Sequence, residues 1–205
     1  MLSIALTGNA ASGKTTVAKL WAGRGVPVVL ADELARDVVA PGTEGLERVA
    51  RAFGTEVLAP DGSLHRARLR ARVFNDDAER KRLEGILHPL IEMRRRKWMA
   101  RQKSQGAPLV VAEVPLLFEV GLEDTFDGVV LVTAPVDECL RRLVEDRGLG
   151  REEASRILAA QMPVKDKVAR ADYVLENGGS EEDLRSRALA LLDLLQARAR
   201  KGEGK

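Results

Sequence analysis

The eight residues Gly8-Asn9-Ala10-Ala11-Ser12-Gly13-Lys14-Thr15 constrain this chain more than any other stretch. They match G-x-x-x-x-G-K-[ST], and the flanking sequence has the context that pattern needs. Residues 2–7 form a short apolar run of strand character, and after Lys14 the residues Val17, Leu20 and Trp21 recur at helical spacing. A strand that enters a glycine-rich loop and leaves as a helix is a phosphate cradle. Glycines let successive backbone N–H groups turn toward oxyanions, and the helix N-terminus adds the positive end of its dipole. On this reading Gly8, Ala10, Ala11, Ser12, Gly13, Lys14, Thr15 and Thr16 contact ATP. The Lys14 ammonium reaches the β- and γ-phosphates, and the Thr15 hydroxyl holds Mg2+.

The rest of the chain alternates short apolar runs with longer amphipathic ones. Strands are expected at 26–30, 109–113, 129–133 and 173–175, and helices at 32–40, 136–147, 151–161 and 181–200. Between the second and third strands lies a helical zone over 43–103, broken at Pro60-Asp61-Gly62, at Asn75-Asp76 and at Pro89. The pattern predicts an α/β fold of three layers, a five-stranded parallel sheet with helices on both faces. The chain reads as one domain over 1–205. A helical insertion at about 35–105, too long for a simple crossover, is where such a kinase binds its acceptor, and a lid spans about 141–165.

Composition narrows the class further. With 45% hydrophobic and 31% charged residues, the chain reads as a globular enzyme of the cytoplasm, and no stretch is apolar enough to span a bilayer. The lone Cys139 has no partner for an internal disulfide and reads as a buried small hydrophobe. Residues 64–103 carry 13 Lys/Arg against 5 Asp/Glu, a basic block that either draws an anionic substrate or is a solvated helix face. No set of aromatics surrounds it, which argues against nucleic acid as a partner. No membrane and no obligate protein partner are implied. The N-K-x-D element of a GTPase is absent, as is an apolar strand closing in the acidic pair of a motor ATPase. What remains is a kinase for a small acceptor, a nucleoside or nucleotide or another small metabolite among the alternatives, with a nucleotide-binding module lacking turnover as the remoter rival.

Beyond the phosphate loop, an ordered series of motifs resembles the dephospho-coenzyme A kinases over nearly the whole chain. It includes Ala31-Asp32-Glu33-Leu34-Ala35-Arg36, Leu69-Arg70-Ala71-Arg72-Val73-Phe74 and Leu87-His88-Pro89-Leu90-Ile91. Val114-Pro115-Leu116-Leu117-Phe118-Glu119, the helix at 142–161 and Asn177-Gly178 complete it. The resemblance implies transfer from ATP to the ribose 3′-hydroxyl of dephospho-CoA, the last step of coenzyme A synthesis, with Mg2+ as cofactor. It implies that Asp32 is the catalytic base, although an aspartate opening a helix is also a good N-cap. Arg36, His88, Leu116, Leu117 and Glu119 fall on the acceptor side by the same likeness. Arg142 joins Lys14 and Asp32 as the catalytic set, because a guanidinium offsets charge on the transferring phosphoryl group. Asn177 is either an adenine contact or a plain Asn-Gly turn.

Two departures from the family pattern bear on the site. Leu30 stands where a second aspartate is common, and Asp146-Arg147 replaces the usual Arg-Asp order. Either Arg142 pairs with Asp146 four residues on, or the helix stops early and Arg147 swings onto the nucleotide.

Overall fold

The computed structural model describes residues 1–74 and 76–202, except for the side chain of Phe74. Two compact units emerge, one of Met1–Leu30 with Gln102–Lys205 and one of Ala31–Arg101. The first is an α/β unit. Its strands β1 (Leu2–Gly8), β2 (Val28–Val29), β3 (Leu109–Glu113), β4 (Gly128–Thr133) and β5 (Tyr173–Glu176) form one sheet in the order β2-β3-β1-β4-β5. Every pairing is parallel. The central strand β1 therefore has hydrogen-bonded neighbours on both sides, and all seven of its residues are buried.

Alternation along the strands explains how the sheet is covered. Leu2, Ile4 and Leu6 share one face with Leu109, Val111, Val130, Val132 and Leu175. Against that face pack α1 (Lys14–Ala22), through Val17, Ala18 and Trp21, and α9 (Glu181–Arg200), through Leu184, Ala188, Leu192 and Leu195. Trp21 is fully buried, and its indole N–H donates to the Ala188 carbonyl at 2.9 Å, tying the two helices together. Ser180 and Asp183 form a reciprocal capping box that starts α9. The alternate face carries Ala5, Thr7, Val110, Ala112, Val129 and Leu131, also buried. The helices α6 (Val136–Glu145), α7 (Arg151–Ala159) and α8 (Val164–Val168) complete this unit, α8 touching β4.

The second unit is helical: α2 (Ala31–Asp37), α3 (Glu44–Phe53), α4 (Arg66–Phe74) and α5 (Asp77–Ser104), the last within this unit up to Arg101. Its core gathers Val38, Val49, Phe53, Val57, Leu69 and Leu90.

Three local expectations need correction. The second strand was expected over 26–30 but pairs only at Val28 and Val29, because it is an edge strand and Pro27 has no N–H to give the ladder. Pro89 does not end a helix: α5 runs through it. A helix-interior proline costs about 3 kcal/mol, and here Leu83, Ile86, Leu87, Leu90 and Ile91 all pack into the unit's core on either side of it. The helix after β4 ends at Glu145 rather than 147, and the short α8 has no counterpart in the periodicity. The expected break at Asn75-Asp76 falls partly on Asn75, which lies outside the described residues.

If the Trp21–Ala188 bond and the indole's bulk hold α1 to α9, Trp21→Phe should lower unfolding free energy by about 1–3 kcal/mol. Urea denaturation monitored by circular dichroism measures this, and an unchanged midpoint would mean the indole is dispensable.

Candidate active site

β1 ends where its last residue must bend into a loop, and the backbone there tolerates no side chain. Gly8 has φ +149°, and a Cβ on it would sit 2.2 Å from the Val132 carbonyl oxygen on β4. Gly13 (φ +102°) and Ala11 (φ 59°) also adopt positive φ, so the loop coils tightly before α1 begins at Lys14. That helix opens without a side-chain cap and without acidic residues in its first turn. Its N-terminus is thus left to an anion.

Side chains from several elements fasten this loop. Lys14 is buried, and its ammonium donates to the Asn9 carbonyl at 2.8 Å. Burial lowers its pKa to about 8; the Glu113 carboxylate opposes that shift, and the positive charges of Arg147 and Lys167 reinforce it. The buried Asn177, just after β5, donates through Nδ2 to the Ser12 carbonyl at 2.9 Å. One N–H of its amide thus holds the loop, and the same residue lines the cavity beside Lys14. Gln161 accepts the Ala10 N–H at 2.9 Å.

Arg142 on α6 faces the same loop. Its NH1 donates to the Ala11 carbonyl at 3.2 Å and its NH2 to the Asn177 carbonyl at 3.5 Å. Its Nε donates to Glu138 at 2.8 Å, one turn back, so Glu138 rather than Asp146 is the ion-pair partner. Glu138 also grips Arg141, and these hydrogen bonds, with Arg141 first, hold its pKa down at about 2. α6 ends at Glu145; Asp146, its C-cap, stays right-handed helical and donates its N–H to the Arg142 carbonyl at 3.1 Å, and Arg147 follows it. Both line a cavity of about 390 Å3 together with Lys14, Thr15, Arg142 and Asn177. The first arrangement of the lid residues does not hold, since Arg142 pairs with Glu138 and not Asp146; a helix that stops early and an Arg147 that lines the cavity agree with the second, with Arg142 lining it too.

Glu113, the last residue of β3, is a site residue the sequence reading missed. It is buried, and its Oε1 accepts from the Thr15 hydroxyl at 3.3 Å. The signal was an apolar strand closing in one acid, where an acidic pair was sought. A hydroxyl and a carboxylate side by side are hard oxygen donors of the kind Mg2+ takes when nucleotide and water supply its other ligands. Among the described residues no three His, Cys, Asp or Glu gather as a metal-binding group.

The remaining candidates differ in accessibility. Leu116 is half-buried, whereas Leu117 is fully buried, the position of a core side chain. Glu119 is ion-paired with the Lys167 ammonium at 2.8 Å and accepts from the Met162 N–H at 3.1 Å. Burial pushes its pKa up, yet the Lys167 ammonium and the backbone N–H groups of Glu119 itself and Met162 outweigh it and leave the pKa lowered. In the helical unit Asp32 and Arg36 are exposed on α2, and His88 is exposed within α5, not at a break. Asp32 is the second residue of α2 rather than its N-cap. Many arginines of the basic block are matched locally: Arg72 with Glu56, Arg80 with Asp77, Arg94 with Asp37 and Arg96 with Glu92. Local pairing of this kind favours the solvated-face reading for those side chains.

The grip of Glu138 on the Arg142 Nε should align the guanidinium's other edge with the loop. Glu138→Gln should then weaken ATP binding about three- to tenfold, the scale of one charge-assisted hydrogen bond, while Arg141→Ala should not. Calorimetric titration of both variants distinguishes them, and equal affinities would remove Glu138 from the account.

Comparison with known proteins agrees with this geometry. The family model described as dephospho-CoA kinase matches residues 2–183. A dephospho-CoA kinase of Anaeromyxobacter dehalogenans is 52% identical over 98% of this chain and 96% of its own length. A crystal structure from Thermus thermophilus superposes with a TM-score of 0.74 at 41% identity, covering 94% of this chain and 97% of that one. The dephospho-CoA kinase structure from Campylobacter jejuni, at 22% identity, shares the fold, with a TM-score of 0.69 and 94% and 96% covered.

Proposed function

This chain belongs to the dephospho-CoA kinase family, and from that premise we propose how its own residues divide the work of the reaction. The family's reaction, the final step of coenzyme A synthesis, passes a phosphoryl group from ATP to dephospho-CoA. The observation that carries the assignment of roles is the convergence of Lys14, Arg142 and Arg147 on one cavity at the end of β1.

In this proposal the phosphate loop binds the triphosphate through its backbone N–H groups. Lys14 and Arg142 leave the carbonyls of Asn9 and Ala11, which they now hold, and turn to phosphate oxygens, where charge assistance makes each bond stronger. Arg147 adds a third positive charge from the mouth of the cavity. Thr15 and Glu113 would hold Mg2+, whose charge would offset that of the triphosphate. The ribose 3′-hydroxyl of dephospho-CoA attacks the γ-phosphorus, the bond to the β–γ bridging oxygen breaks, and ADP leaves. Asp32 takes the hydroxyl proton. Support for Asp32 comes from its exposed carboxylate, for which no protein hydrogen bond is recorded among the described residues, and from its family motif. Arg36, His88 and Leu116 are proposed on the acceptor side, and the cytoplasm is the proposed location. No described helix is long and apolar enough to cross a membrane.

Incubation with Mg-ATP and dephospho-CoA, followed by mass spectrometry, should yield coenzyme A and ADP. Asp32→Asn should leave ATP affinity intact and cut kcat by about 10²–10⁴-fold, the range for a general base. A folded Asp32→Asn enzyme with wild-type kcat would put the base elsewhere.

A further inference from the structure

One charged side chain in the α/β unit is buried more deeply than its surroundings explain. Lys167, on the short α8, has 0% of its surface exposed. Its ammonium lies 2.8 Å from Glu119 Oε1 as an ion pair, yet among the described residues it makes no hydrogen bond. An ammonium has three N–H donors, so at least two are unspent. The Glu119 Oε2 is likewise buried without a partner. A pair kept only for stability should be fully satisfied, since burying charge costs several kcal/mol per ion and only complete hydrogen bonding repays it. Incompletely satisfied buried polar groups call for another explanation, and a catalytic role is one.

The connections of this segment point to the phosphate loop. Six residues before Lys167, Gln161 accepts the Ala10 N–H at 2.9 Å. Between them, the Met162 N–H donates to the same Glu119 oxygen that holds Lys167. Just after, Arg170 lies over the Phe118 ring at 5.0 Å and pairs with Glu123. Residues 161–170 are thus strapped at one end to the phosphate loop and along their length to the loop that follows β3. The positive charge of Lys167 is also felt at Lys14, whose proton affinity it lowers.

We propose that Lys167 is a positioning residue for phosphoryl transfer, acting through Glu119 and the Gln161–Ala10 bond to hold the phosphate loop. The strap sets the position of the loop, and so of the donors it aims at the phosphoryl oxygens, before substrate arrives. Uniform ground-state binding would change KM, whereas a loop geometry matched to the transition state changes kcat.

The inference rests on the proposed reaction, and the test separates the two. Lys167→Met combined with Glu119→Gln removes both charges, nearly conserves volume and leaves an amide oxygen for the Met162 N–H. Replacing a buried ion pair by neutral groups of similar size is often tolerated by the fold. Thermal unfolding, KM for ATP and kcat for coenzyme A formation are measured beside wild type. The expected result is a melting temperature near wild type, KM changed less than about threefold, and kcat reduced at least tenfold, which corresponds to about 1.4 kcal/mol. A folded double variant with kcat within about twofold of wild type would make the pair purely structural and overturn the proposal. Should the double variant fail to fold, Gln161→Met decides, because it unfastens the strap at Ala10 without stranding a charge. A kcat loss of about fivefold or more upholds the proposal, and a smaller loss overturns it. Absence of coenzyme A formation by the wild-type enzyme would instead reject the reaction itself.

Discussion

The structure turns on a backbone loop that is uncomfortable by itself. Gly8, Ala11 and Gly13 all sit at positive φ, and for Ala11 that region is costly by the usual steric argument. Such a conformation persists only when its surroundings over-determine it. Here the loop is fastened residue by residue. Gln161 takes the Ala10 N–H, Arg142 the Ala11 carbonyl and Asn177 the Ser12 carbonyl, while Lys14 reaches back to Asn9. These props come from four places in the sequence, brought together because β1 lies between β3 and β4 in a parallel sheet. The carboxyl edge of such a sheet, where successive connections leave in opposite directions, is where open α/β folds bind ligands.

The same props explain how the site carries so much positive charge. Lys14 and Lys167 are buried, and Arg142 is half-buried. Each keeps an oxygen nearby: Asn9 carbonyl for Lys14, Glu119 for Lys167, Glu138 and two carbonyls for Arg142. Neutral carbonyls are weak competitors for an ammonium or guanidinium, so a triphosphate displaces them readily. The carboxylate of Glu138 engages the Arg142 Nε and leaves the other nitrogens for the loop. Stability in the resting protein and readiness for an anion are therefore met by the same contacts.

The parts legible in the sequence were those whose signal is local. α1, β3 and α9 begin and end where apolar spacing and punctuation put them, and the octad at Gly8–Thr15 marked the phosphate loop by itself. What escaped depends on tertiary context. Pro89 reads as a break because propensity is local, yet packing on both sides carries the helix through. The edge position of β2 shortened it, and nothing in five residues reveals an edge. Within the site, Glu113 was hidden because one acid after an apolar strand is a common sight. Lys167 was hidden because a lysine in a short polar helix looks like surface, and only the fold puts it inside. The bond of Asn177 to Ser12 is invisible in the sequence, since the two lie 165 residues apart.

The central claim is that the phosphate loop is built before the nucleotide arrives, by side chains that hold its carbonyls in place. Asn177→Ala tests this most directly, because it removes one prop without introducing charge, strain or bulk into the loop. ADP is titrated calorimetrically into wild type and variant, with circular dichroism confirming the fold. The account predicts a folded variant whose ADP affinity is at least tenfold weaker, because binding must then meet the cost of ordering the loop. Wild-type affinity in the folded variant would contradict it.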